Sequence, residues 1–272
     1  MALWQDGSVI IEEGKFHYYR TGGEKPPIVL LHGFTDNGMC WARVAEGLEA
    51  DYDLIMPDAR GHGLSVDFPS NKFTLKDMAI DLIKFIKKLG LKTPILIGHN
   101  VGARVATYVS AATPTLVSKV VAEDPGWNVK MFSQTRLDRY MRADVFRNKI
   151  RTWKTQSQQH IIAEFRRDQS LNWHKTDYMT WADAKMQLSV NTIGVMQSEP
   201  VPLEEIIPKI VCPMLLVWGD AGLGAVQDEV TAQKIQEMNP KIEIARISGA
   251  GQDLHRDKLE PFLQKVKAFL SQ

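Results

Sequence analysis

Residues 95–112 read ILIGHNVGARVATYVSAA. Ile95 to Gly98 form a short apolar run, and from Val101 onward the apolar residues (Val101, Val105, Val109) recur at helical spacing. A run of that length followed at once by a 3.6-residue period marks a buried strand that turns directly into a helix. The junction is only GHN, bracketed by Gly98 and Gly102. Glycines there permit close backbone approach and a strained bend, which lifts the residue at its centre, Asn100, above the end of the strand. Functional side chains are therefore sought first around Asn100.

The same pattern extends in both directions. IVLLH (28–32), LIMP (54–57), VVA (120–122), MLLVWG (214–219) and IEIARI (242–247) are further short apolar runs. Between them CWARVAEGLEA (40–50), TLKDMAIDLIKFIKKLG (74–90), VTAQKIQEM (230–238) and KLEPFLQKVKAFL (258–270) show helical periodicity. Strand alternating with helix predicts an α/β fold with a mostly parallel sheet built by right-handed crossovers. VIIEE (9–13) and KFHYYR (15–20) alternate apolar and polar residues instead, the signal of an N-terminal antiparallel hairpin. From about Trp127 to Leu203 the rhythm breaks: four tryptophans, many charges and amides, and no convincing strand. We read 127–203 as a helical cap inserted between two strands of a core formed by 1–126 and 204–272.

Composition narrows the function. A chain of 272 residues, 44% hydrophobic and 24% charged, suits one α/β domain with an insertion. Lys and Arg (33) nearly balance Asp and Glu (32) with no long run of like charge, so nucleic acid is not an expected partner. No apolar run reaches the roughly 18 residues of a membrane span, and the start has no basic segment followed by an apolar one. The chain is thus expected to be soluble and cytoplasmic, with no membrane partner, as a monomer or homodimer. Cys40 and Cys212 lie far apart without metal-ligand neighbours and are expected as buried thiols. The seven histidines are scattered, and no phosphate-binding glycine motif follows a strand. Neither a metal nor a cofactor is expected.

Three signatures carry a resemblance. His32-Gly33-Phe34 follows the first buried strand, PDARGHGLS (57–65) follows the next, and GHNVG (98–102) sits between strand and helix. In order and spacing they resemble the α/β-hydrolase superfamily, and along nearly the whole chain the sequence is similar to its small bacterial esterase-like members. The resemblance implies the α/β-hydrolase fold and an oxyanion site at the backbone amides of Phe34 and Val101 beside Gly33, with Trp127 at the cap hinge lining the substrate pocket. It also implies a GxSxG nucleophile, a GxGH base and an acid three residues after the glycine of the preceding strand. In this chain those three positions hold Asn100, Gln252 (in SGAGQDLHRD) and Gly222 (in LLVWGDAGLGA). A carboxamide does not become an alkoxide, and glutamine shuttles no proton near neutral pH. Ordinary serine hydrolysis is not expected.

A second acid position of the superfamily, at the end of the strand before the cap, reads AEDPGW and holds Asp124. Asp124 is read either as an acid or desolvated general base, or as a brace of the cap hinge. Asp220 is expected to face its turn, His32 and His99 to pack loops, and His255 to be a surface or helix-capping residue. Lys130 and Lys154 are expected as solvated charges rather than Schiff-base formers.

Loss of all three groups with the surrounding motifs intact is the pattern of an esterase-like chain redesigned around a repurposed pocket. Two other readings stay open. One is a non-catalytic binding protein whose capped pocket, floored by Asn100 and Gln252, receives a small molecule. The other is a dehalogenase-like or epoxide-hydrolase-like enzyme with its aspartate nucleophile blocked as Asn100; against it, Val101 stands where a halide-binding tryptophan often follows, and Gln252 would leave an ester intermediate unhydrolysed.

Overall fold

The computed structural model describes residues 4–68, 73–127, 134–168 and 173–272. Strands β1 (Gln5–Ile11) and β2 (Gly14–Arg20) pair antiparallel, Val9 opposite Phe16, and turn through Glu12-Glu13 with Gly14 at φ +134. β3 (Pro27–Leu31), β4 (Asp53–Pro57), β5 (Ile95–His99), β6 (Val120–Glu123), β7 (Met214–Trp218) and β8 (Ile242–Arg246) complete one sheet in the order β1-β2-β4-β3-β5-β6-β7-β8. β2 meets β4 antiparallel, and every pair from β4 to β8 is parallel. The expected mostly parallel sheet with an N-terminal hairpin is what forms.

Alternation along the strands sorts the core into two layers. On one face Val29, Leu31, Leu96, Leu216 and Trp218 pack under α2 (Leu75–Lys88), α3 (Val101–Ala112) and, beyond the cap, the helix Glu229–Met238. On the other, Ile28, Leu30, Ile97, Leu215 and Val217 pack under α1 (Ala42–Leu48) and the last helix, Leu259–Leu270. Burying each such side chain stabilises the fold by about 1.5–3 kcal/mol before conformational entropy is subtracted. Strands covered on both faces must be apolar at successive positions, which is why they read as unbroken runs.

Between β6 and β7 lie α4 (Arg136–Trp153), α5 (Gln158–Asp168) and α6 (Lys175–Gln187), and the described residues of that stretch form no strand. Thr135 opens α4 with a capping box to Asp138. Ala143, Ile150, Trp153, Ile161, Ala182, Leu188 and Ile193 give these helices a small core of their own. Polar ties hold them to the sheet layer: Arg43 to Asp177 (2.9 Å), Asn37 to Gln187 (2.8 Å) and Trp173 Nε1 to Asp257 (2.6 Å). The helix Glu229–Met238 is α7 and Leu259–Leu270 is α8. No helix of the described residues is long and apolar enough to cross a membrane.

Candidate functional site

Asn100 occupies the bend between β5 and α3 with φ 48 and ψ −110, a conformation that L residues rarely adopt. The glycines explain how it is tolerated. A Cβ on Gly102 would land on Leu31 O, and one on Gly98 would land on the backbone of Gly102. Strand and helix therefore approach more closely than any larger residue permits, and the bend is held from both sides. Asn100 N donates to Glu123 O at 2.9 Å, and Arg104 N to Asn100 O at 3.2 Å.

Above the bend a cavity of about 770 Å³ opens between the sheet and the cap. Of the residues singled out from sequence, Gly33, Phe34, Asn100, Val101, Trp127 and Gln252 line it together. Asn100 is 9% exposed, and its carboxamide has no hydrogen-bond partner among the described residues. α3 begins at Val101, which lines the cavity, and the amides of its first turn have no acceptor within the helix.

Gly222 and Asp124 are not in the lining. Gly222 is exposed on the loop after β7, with nothing within 4 Å of where its Cβ would stand. That loop still abuts the loop carrying Gln252, because a Cβ on Gly251 would strike Leu223 O. Asp124 is fully buried at φ 40, its Oδ2 accepting the Val226 amide and its Oδ1 the Gln227 amide, both at 2.9 Å. Gln227 in turn accepts the Trp127 amide through its side chain at 3.0 Å. Burial pushes the Asp124 carboxyl up to about 7 although the two amides pull it down. Its place is that of a brace between the cap hinge and the loop after β7. Asp220, expected to face its turn, instead reaches across to the end of β8 and the loop beyond, accepting from Arg246 Nε and Gly249 N at 2.8 Å each.

The histidines divide differently from the sequence reading. His32 is buried in the loop after β3 as expected, and His99 is buried at the end of β5. His255 is not at the surface: it is 1% exposed and lies with Nδ1 2.8 Å from Glu123 Oε1, because the helical turn Leu254–Asp257 folds inward over the ends of the strands. Burial pushes Glu123 up to about 8 and His255 down to about 4, so the two form a neutral pair near pH 7. His99 Nε2 lies 3.1 Å from the Gln252 carbonyl, which only accepts; Nε2 therefore carries the proton and the buried Nδ1 is left without a partner.

A charged cluster missed in the sequence closes one side of the cavity. Lys185 of α6, 1% exposed, donates to Thr35 O at 2.8 Å and to its hydroxyl at 2.6 Å, and stands 3.5 Å from Asp36 and 4.5 Å over the Trp181 ring. Burial lowers its ammonium to about 8. Arg256 grips Asp36 through both terminal nitrogens, at 3.0 and 3.2 Å, and Asp253 at 2.7 Å. Asp36, His99 and Asp253 each bring a ligand atom within 4.8 Å of the others, but Arg256 and Lys185 already supply the positive charge a metal would bring. Trp181 one turn before Lys185 was the available sequence signal, and Arg104 one turn after Asn100 was the other. Lys154 is exposed, and Lys130 falls outside the described residues.

These features define the class. The chain belongs to the alpha/beta hydrolase fold family, whose model matches residues 26–197. It is similar to N-formylmaleamate deformylase of Pseudomonas putida, 27% identical over 278 residues that span 97% of this chain and 96% of that protein. Over a shorter stretch it is 32% identical to fluoroacetate dehalogenase of a Burkholderia species, across 44% of this chain and 40% of the other. Among solved structures, N-formylmaleamic acid deformylase from Pseudomonas putida S16 superposes with a TM-score of 0.79, covering 96% of this chain and 100% of that one at 19% identity.

Proposed function

We propose that this chain derives from a carboxylic-ester hydrolase by replacement of nucleophile, base and acid at Asn100, Gln252 and Gly222, a redesign that leaves a pocket for binding a small carbonyl compound without hydrolysing it. The observation that carries the reading is the Asn100 carboxamide. It sits at the strained bend on the cavity floor and has no protein partner among the described residues. The carboxamide opens onto the cavity, where a ligand carbonyl or hydroxyl would give it a hydrogen-bond partner. Gln252 adds a second amide at the same end, and Phe34 and Val101 keep the backbone positions of an oxyanion site. By their names, relatives act on an N-formyl and an acetamido compound, small molecules of the kind this cavity would hold.

The test sets p-nitrophenyl acetate and butyrate turnover beside ligand-induced melting shifts. No burst, no acyl mass increment and a rise in Tm with small acyl amides are expected. A burst with an acyl group on Asn100 would overturn the proposal. Local similarity to fluoroacetate dehalogenase favours a second reading, an aspartate nucleophile blocked as its amide. Under that reading Asn100→Asp exposed to a haloacetate gains a stable ester adduct in the mass spectrum; under the first it gains none.

A further inference from the structure

We propose that the outer face of α4 is a membrane-docking surface: its stripe of Leu137, Met141 and Val145, flanked on both sides by cations, seats the cap on a bilayer of anionic lipid, with the cavity opening beside the contact. This contact is independent of what the cavity holds.

Helix α4 has two unlike faces. Toward the protein it buries Ala143, Ile150 and Trp153. Leu137, Met141 and Val145 follow one another at four-residue intervals, so they lie along one line of the helix surface. At 3.6 residues per turn that line is turned away from the buried face. These side chains are 68%, 60% and 73% exposed. Single exposed apolar residues need no explanation, but several in register along a helix, with exposed Tyr140 beside them, make a continuous apolar stripe that water covers poorly.

The charges beside the stripe indicate what covers it. Arg136, Arg147 and Arg151 border it on one side, Arg142 and Lys149 on the other. The acids of the helix are committed locally: Asp138 accepts from the Thr135 amide and hydroxyl, and Asp144 from Arg147. The whole chain has a net charge of only +1, so the cation excess belongs to this face rather than to the protein at large. An apolar stripe with basic flanks suits a helix lying in the plane of an anionic membrane surface. Its apolar side chains enter the acyl boundary while the long cationic ones reach sideways to the phosphates. A second copy fits less well, because a two-fold contact through the stripe would set cation rows against cation rows. The apolar runs of the chain are too short to span a bilayer, but a helix on its surface needs no such run. Arg142 and Lys149 are exposed and, with Phe146, also line the cavity, which therefore reaches the surface beside this face.

The test is co-sedimentation of the full chain with vesicles of phosphatidylcholine alone and of phosphatidylcholine mixed with phosphatidylglycerol. Binding is expected to the anionic vesicles only, and to weaken at high salt. Leu137→Gln, Met141→Gln and Val145→Gln together should weaken it at least about tenfold, and Arg142→Gln with Lys149→Gln by about tenfold. All these side chains are exposed, so unchanged thermal melts should accompany both losses. Ile10→Gln, as exposed on β1 at one edge of the sheet, is the control expected to change nothing. Equal binding to neutral vesicles, binding indifferent to the stripe, or no binding to anionic vesicles would overturn the proposal. So would a dimer in solution that the stripe substitutions convert to monomer, which would assign the face to a second copy.

Discussion

Asp124 and Gln227 hold the cap hinge together: Asp124 Oδ1 accepts the Gln227 amide at 2.9 Å, and Gln227 Oε1 accepts the amide of Trp127, three residues beyond Asp124, at 3.0 Å. Both side chains are at most 1% exposed. Asp124→Ala leaves the Val226 and Gln227 amides without acceptors and is expected to cost about 2–4 kcal/mol, read as a lower urea midpoint. Asp124→Asn keeps one acceptor oxygen and should lose less. A stability change under about 0.5 kcal/mol for the alanine variant would show that the brace does not hold the hinge.

The buried acids set a pH dependence of known sign. The Asp124 carboxyl is held at about 7 in the fold, against an ordinary value near 3.8. Between those values the folded chain binds more protons than the unfolded one, so stability falls as pH rises, by at most about 1.4 kcal/mol per pH unit. The Glu123–His255 pair, with Glu123 raised to about 8 and His255 lowered to about 4, keeps one proton across that range. The unfolded pair loses its last proton near pH 6.5, so stability falls further from there to about 8. Below about pH 6.5 the buried His32, His62 and His99, held lower than free imidazoles, oppose this slope, so denaturant titrations from pH 6.5 to 8 should show the decline, and Glu123→Gln should flatten it. A stability that instead rises from pH 6.5 to 8 contradicts the assignment of buried neutral carboxyls.

On the proposed reading, gaining ester hydrolysis should need changes at all three sites. Asn100→Ser alone is expected to give no turnover of p-nitrophenyl esters, having no base beside it. Adding Gln252→His should give slow turnover, since Asp124 is occupied by two amides. Gly222→Asp has room for its side chain and lies on the loop that abuts residue 251, so it should raise turnover by a further ~10² or more. Equal activity for the double and triple variants would mean that position 222 never reaches the base.

The bend depends on close approach. Gly102→Ala drives a Cβ into Leu31 O, and Gly33→Ala places one 2.6 Å from His99 Nδ1. Both should lower Tm, Gly102→Ala by more, because backbone yields less readily than an imidazole. Thermal melts of the two variants check the order.

Much of the fold was readable because burial on both faces forces a local pattern. Ile28 to Leu31 and Met214 to Trp218 are apolar at every position since each residue meets one layer of helices or the other. The Gly98 and Gly102 pair likewise announced the bend. His255 misled because one residue's spacing from Gln252 says nothing of which way a short helical turn folds; it went inward, onto Glu123. Lys185 and Arg256 carry no local signal of burial, yet they meet Asp36, 149 and 220 residues away, inside the protein.

By itself the sequence determined the parallel sheet, the helical cap and the residue types at positions 100, 222 and 252, since strand burial, glycine geometry and side-chain chemistry are local properties. Only the tertiary structure decided that Asp124 is a brace outside the lining, that Gly222 stands exposed, and that Arg104, Asn100 and Gln252 share one cavity wall. Those are distances between segments far apart along the chain, and they come into being only when the cap closes on the sheet.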